Sequence, residues 1–80
     1  MMTPDRLVQC LEALHWSPDQ LAEIFECDKG LVEAWVMGLE EIPPKAAAWI
    51  ETLATLHEHM EADKPKSLRG KRAKGSPPLQ

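Results

Sequence analysis

The segment WSPDQLAEIFECDKGLVEAWVMGLEEIP, residues 16–43, decides the fold because it holds two helix starts in close succession. Ser17 begins a capping box with Gln20, three residues later, and Pro18 lies at the first helical position. Asp28 is a second N-cap residue, and Gly38 is typical of a helix end. The segment therefore predicts two short helices joined by a tight turn.

The flanking sequence adds further helices. Thr3, Pro4 and Asp5 are a third helix start, and the apolar spacing predicts a first helix from about Pro4 to Leu14. Another helix is expected to begin at Pro44 and to end near Glu61. Its expected buried stripe consists of Ala46, Trp49, Ile50, Leu53, Leu56 and Met60. The sequence predicts an all-α fold, a compact bundle of four to five short helices over residues 3–63, containing a helix-turn-helix.

Charge divides the chain into two parts. Residues 1–63 carry thirteen acidic and three basic side chains, a net charge of −10, whereas residues 64–80 carry six basic side chains and no acid. The final segment is also rich in Pro, Gly and Ser and poor in apolar residues, so we expect it to be disordered. We call it the basic tail, and its charge indicates a polyanionic partner or pairing with the acidic body.

Residues 16–43 resemble the helix-turn-helix family of phage repressors and Cro proteins, also called the Xre family. The similarity extends over about residues 3–61. The matching positions are Ser17, Leu21, Ala22, Cys27, Asp28, Val32, Trp35, Gly38 and Pro43. Each has a physical reason: a small residue lets helices cross closely, large apolar residues fix the third helix, and glycine permits a left-handed turn.

The resemblance implies that the third helix enters the major groove of DNA. By position, Lys29, Gly30 and Ala34 would read bases, with Glu33 on the same exposed side, and Ser17 would hold a phosphate. Two departures weaken this surface. Pro18 replaces a residue that is usually Gln, and Leu39-Glu40-Glu41 replaces a loop that is usually basic. Because acids repel phosphates, we expect the body alone to bind DNA poorly.

The basic tail offers the missing positive charge. Extended basic arms lie along phosphates or in the minor groove and become ordered on binding. The six candidate residues are Lys64, Lys66, Arg69, Lys71, Arg72 and Lys74. The alternative is a tail that only keeps the protein in solution.

These patterns favour a DNA-binding transcriptional regulator of prokaryotic or phage type, with double-stranded DNA as its partner. A two-fold homodimer is implied by the resemblance alone. The alternative is a helix-turn-helix fold reused as a protein-interaction module, because fold does not fix function. Its acidic face would consist of Glu23, Glu26, Glu33, Glu40 and Glu41. RNA binding through the tail is a third hypothesis.

Other classes of function find little support in the sequence. No nucleophile is paired with a base, and there is no glycine-rich phosphate loop, so we expect neither an enzyme nor a small-molecule substrate. The histidines, His15, His57 and His59, do not have converging ligand spacing, and no metal or other cofactor is expected. Two cysteines without metal-like spacing and the lack of a long apolar run predict a cytoplasmic protein without a membrane span.

Overall fold

The described part of this protein is built from four helices. The computed structural model describes residues 1–65, 68 and 70–75, and within them it contains helices but no strand. The helices are α1 (Pro4–Leu14), α2 (Pro18–Phe25), α3 (Lys29–Met37) and α4 (Pro44–Ala62). The predicted all-α fold is confirmed, with four helices. From Lys64 onward the described residues form no helix, and the predicted disorder falls partly on residues outside the described ones.

Side chains fix the start of the first three helices. The Thr3 hydroxyl accepts a hydrogen bond from the Arg6 amide at 3.1 Å. The capping box predicted at Ser17 is present: the Gln20 amide donates to the Ser17 hydroxyl at 3.1 Å, and the Ser17 amide donates to the Gln20 side chain at 2.6 Å. Such bonds satisfy amides that have no partner within the helix.

The same three helices end in left-handed backbone. The residues that follow them, His15, Glu26 and Gly38, have φ of 59°, 54° and 77°. Only glycine adopts this conformation without a steric penalty, so the backbone is strained at His15 and at Glu26, in the turn after α2. Because α2 stops there, α3 begins three residues later and crosses it closely.

The core is centred on α1, which packs against α4 and α3, while α2 packs against α3. Its members are apolar side chains from all four helices and the loop before α4: Leu7, Cys10, Leu11, Leu21, Ala22, Val32, Trp35, Ile42, Ile50 and Ala54. All of them lie between residues 7 and 54. Burial of this apolar surface is the main stabilising contribution to the fold.

The predicted buried stripe of α4 is wrong at three of its six positions. Ile50 is buried, but Trp49, Leu56 and Met60 are 43%, 58% and 60% exposed, and the second fully buried residue of the helix is Ala54. The physical reason is a shortage of partners. At about 1.5 Å per residue α4 is about 28 Å long, whereas α1, its main partner, is about 16 Å long.

A polar clamp joins α1 to α4 beside their apolar contact. The Arg6 guanidinium donates to both carboxylate oxygens of Glu51, with N–O distances of 2.8 to 3.1 Å, and its Nη2 lies 3.7 Å from Glu58. The buried Cys10 thiol donates to Glu51 at 3.2 Å. Hydrogen bonds from Arg6 and Cys10 lower the pKa of Glu51, and burial raises the pKa of Cys10 to about 11. The Cys10 thiol is therefore protonated and packs as a small apolar group.

Within the described residues, no helix is both long and apolar enough to cross a membrane.

Candidate nucleic-acid interface

The α2–turn–α3 unit presents one side of α3 to solvent. Val32 and Trp35 are buried on the opposite side, and the Trp35 ring meets Phe25 of α2 edge-on at a centroid distance of 6.2 Å. Leu21 and the small Ala22 lie buried in α2, as close helix crossing requires. Lys29, Gly30 and Glu33 are exposed on the outer side of α3. The unit therefore holds this side of α3 in a fixed position.

Lys29 has an acidic neighbour that sequence reasoning missed. Its ammonium nitrogen lies 3.7 Å from a carboxylate oxygen of Asp19, near the start of α2. Both side chains are more than 60% exposed, and such pairs contribute little because water screens them. Lys29 can leave Asp19 for a stronger anionic partner at small cost.

Gly30 fits closely against the cap of its own helix. The Asp28 carboxylate accepts a hydrogen bond from the Gly30 amide at 2.7 Å. A Cβ atom on Gly30 would lie 3.1 Å from that carboxylate oxygen, so a side chain would crowd the cap. The first turn of α3 is thus low and open, but a carboxylate already occupies the amide that an approaching phosphate would use.

Ser17 and Ala34, two of the predicted DNA contacts, both accept hydrogen bonds within the protein. The Ser17 hydroxyl is exposed and accepts from Gln20, which leaves its own proton available to an outside acceptor. Ala34 is half-buried, and its carbonyl accepts from the Leu39 amide at 2.8 Å at the end of α3. Ala34 therefore supports the end of the helix and presents only part of its methyl group outward.

All five members of the predicted acidic face are exposed. Glu23 and Glu26 lie on and after α2, Glu33 lies on α3, and Glu40 and Glu41 lie in the loop after α3. A phosphate that approached the exposed side of α3 would meet the charge of Glu33. The structure thus keeps the electrostatic conflict that the sequence predicts for this surface.

The described part of the basic tail begins with an internal pair. The Lys64 ammonium lies 2.7 Å from a carboxylate oxygen of Glu61, and this contact lowers the pKa of Glu61. Lys71 and Lys74 are exposed, and Arg72 is exposed as well. Lys66 and Arg69 lie outside the described residues. Lys64 is therefore paired with an acid of the body, at the C-terminal end of α4.

The structure also contains an aromatic cluster beside α4 that was not predicted from the sequence. Trp16 stacks on Trp49 with ring centroids 6.1 Å apart, and Phe25 lies 5.4 Å from Trp49. Trp49 is thereby held in place although it is partly exposed. The sequence pattern could have indicated this exposure, because apolar residues cover more of the circumference of α4 than one helical partner can bury.

His15 and His57 contact each other, but not in the arrangement of metal ligands. The rings of His15 and His57 contact edge-on at 5.8 Å, and His57 Nε2 lies 3.9 Å from Glu61. In the part of the chain that the structure describes, no group of three or more His, Cys, Asp or Glu residues could hold a metal ion.

No protein-family model matches this chain, and no curated protein or solved structure that was compared with it is significantly similar.

Proposed function

We propose that this protein is a DNA-binding regulator in which α3 docks in the major groove and the basic tail supplies most of the attraction to phosphates. The observation that carries the proposal is the exposed side of α3 at Lys29, Gly30 and Glu33, which Val32 and Trp35 hold in position from behind. A fixed helix with an open first turn is what major-groove docking requires.

The different roles of α3 and the basic tail follow from their charges. Lys29 is the one candidate base reader that can make a strong hydrogen bond to guanine, and the acidic face opposes the phosphates around it. Six tail bases on a segment without an acid offset that repulsion. If all six contact phosphates, the logarithm of the binding constant falls with the logarithm of salt with a slope of roughly −5.

The test is fluorescence anisotropy of labelled duplex DNA at several salt concentrations, with the full chain and with a variant whose six tail bases are replaced by Gln. We expect the full chain to bind with the steep slope and the variant to lose both binding and slope. Residues 1–63 make a second comparison, since every buried core residue in the described part of the chain lies between residues 7 and 54. Binding of 1–63 to one particular sequence would show that α3 reads bases without the tail.

A matched pair of charge variants tests the orientation on DNA. Glu33→Gln removes an acid from the proposed DNA-facing side, whereas Glu12→Gln removes an exposed acid from α1. If α3 faces DNA, Glu33→Gln tightens binding several-fold more than Glu12→Gln, because Coulomb repulsion falls with distance. Equal effects of the two variants would contradict docking through α3.

A second function is favoured by a specific observation, the exposure of all five acids around α2, α3 and the following loop. In this alternative the acidic face binds a basic protein. Failure of the full chain to bind any pooled duplex at low salt, together with salt-sensitive binding to a basic protein that the five glutamates control, would replace the DNA proposal with this one.

A further inference from the structure

The exposed side of α4 carries apolar residues at a regular spacing. Trp49, Leu53, Leu56 and Met60 follow each other at intervals of four, three and four residues. This is the a/d spacing of helices that pair along their length. Leu53 is half-buried, and the other three are substantially exposed. We call these four residues the outer stripe.

The outer stripe is distinct from the contact that α4 makes with α1. Ile50 and Ala54 face the core, while Glu51 and Glu58 reach Arg6 from one flank of that contact. At about 100° per residue, the outer stripe lies on the other flank, roughly opposite Glu51 and Glu58. The helix thus has a second apolar surface, which meets Trp16 and Phe25 at Trp49 and is exposed at Leu56 and Met60.

From this arrangement we propose that the outer stripe is a dimer interface, on which α4 of a second copy of this chain packs antiparallel. The spacing of four, three and four reads the same in both directions. A two-fold axis through the middle of the stripe brings Trp49 of one copy against Met60 of the other, and Leu53 against Leu56. Such self-complementarity is the requirement of a two-fold interface.

The charge distribution permits a second copy at the outer stripe and directs a basic partner to another surface. The body is strongly acidic, so two copies repel unless their contact surface is free of acids. Helix α4 contains three glutamates, Glu51, Glu58 and Glu61. At about 100° per residue, all three lie away from the outer stripe. A basic protein would instead be drawn to the acidic face, which the stripe does not share.

The described part of the tail offers little apolar surface that could cover the stripe. Leu68 is the one large apolar residue in the described part of the tail, and it is 69% exposed. Trp49, in contrast, is held by Trp16 and Phe25 in a fixed orientation, which suits an anchor residue at an interface. Four side chains make a small interface, so we expect a dimer in the micromolar range, weaker than one of standard size.

Sedimentation velocity of the full chain over a concentration series tests the proposal. We expect a concentration-dependent dimer that Leu56→Glu weakens by about tenfold or more, whereas Leu39→Glu leaves it unchanged. Both leucines are well exposed, so both variants should fold, and circular dichroism checks this. A monomer at all concentrations, or a dimer that Leu39→Glu disrupts and Leu56→Glu does not, would overturn the proposal.

Cross-linking tests the antiparallel arrangement. Thr52 and His59 are exposed beside the outer stripe, and two-fold pairing places Thr52 of one copy near His59 of the other. In a Cys27→Ser background, a mixture of Thr52→Cys and His59→Cys chains should form mixed disulfides in preference to disulfides between identical chains. Preference for identical pairs would indicate parallel packing and contradict the proposal. Neither experiment contains DNA, so failure here is separate from failure of DNA binding.

Discussion

The α2–turn–α3 unit and α4 use similar apolar residues to different effect. In α3, Trp35 is 3% exposed and meets Phe25 of α2 edge-on, and α3 itself lies between α1 and α2. In α4, Trp49 touches Trp16 and Phe25 on one side but remains 43% exposed. A short helix between close neighbours buries its apolar side, whereas a helix longer than its partner leaves part of it open. The same residue type thus fixes a core in one place and marks a surface in the other.

The largest expected effect separates these two tryptophans. Trp35→Ala should lower the free energy of unfolding by about 3–5 kcal/mol, because it removes a buried ring and leaves a cavity. Trp49→Ala loses aromatic contacts but creates no enclosed cavity, and should lower it by about 1 kcal/mol. Urea denaturation followed by circular dichroism, at concentrations too low for dimers, measures both. Equal losses would show that α4 is as enclosed as α3.

The contrast also shows what the sequence could predict. Helix starts at Thr3, Ser17 and Asp28 follow from side chains that bond to nearby amides, so they were correctly expected. The burial of Val32 and Trp35 was expected from the helix-turn-helix resemblance, in which large apolar residues fix the third helix. The exposure of Leu56 and Met60 could not be predicted, because it depends on the relative lengths and packing of α1 and α4. The periodicity of the sequence does not contain that information.

The candidate site was only partly predictable for a similar reason. Exposure of Lys29, Gly30 and Glu33 follows from the helical position of the buried Trp35. The pairing of Lys29 with Asp19 depends on how α2 and α3 cross, which the chain determines only when folded. Whether the side of α3 binds DNA stays a prediction.

A smaller effect tests the strained turn inside the α2–turn–α3 unit. Glu26→Gly should raise the free energy of unfolding by about 0.5–1 kcal/mol, because relief of the left-handed backbone exceeds the extra entropy that glycine gains on unfolding. Glu23→Gly removes the same charge from within α2 and should instead lower stability by about 1 kcal/mol. Thermal and urea denaturation of both variants provide the comparison. A loss of stability in Glu26→Gly would mean that its carboxylate, rather than its backbone, matters to the turn.

The smallest effect concerns the attachment of α4 to α1 at Glu51. The contacts with Arg6 and Cys10 lower the pKa of this carboxylate in the folded protein, so the folded state binds its proton less readily than the unfolded state does. The stabilisation from Glu51 is therefore complete above the ordinary pKa of about 4.5 and is lost as the pH falls through the lower folded value. Water screens the pair because both side chains are partly exposed, which keeps the effect modest.

Glu51→Gln should accordingly lower Tm at neutral pH by a few degrees or less and lower it little at pH values below the titration of Glu51. Glu12→Gln removes one negative charge from an exposed site on α1 and controls for the change in net charge. Melting curves from neutral to acidic pH distinguish the two variants. If Glu51→Gln lowered Tm equally at every pH, packing of the side chain over Cys10, rather than the charge that faces Arg6, would hold this flank of α4 to α1.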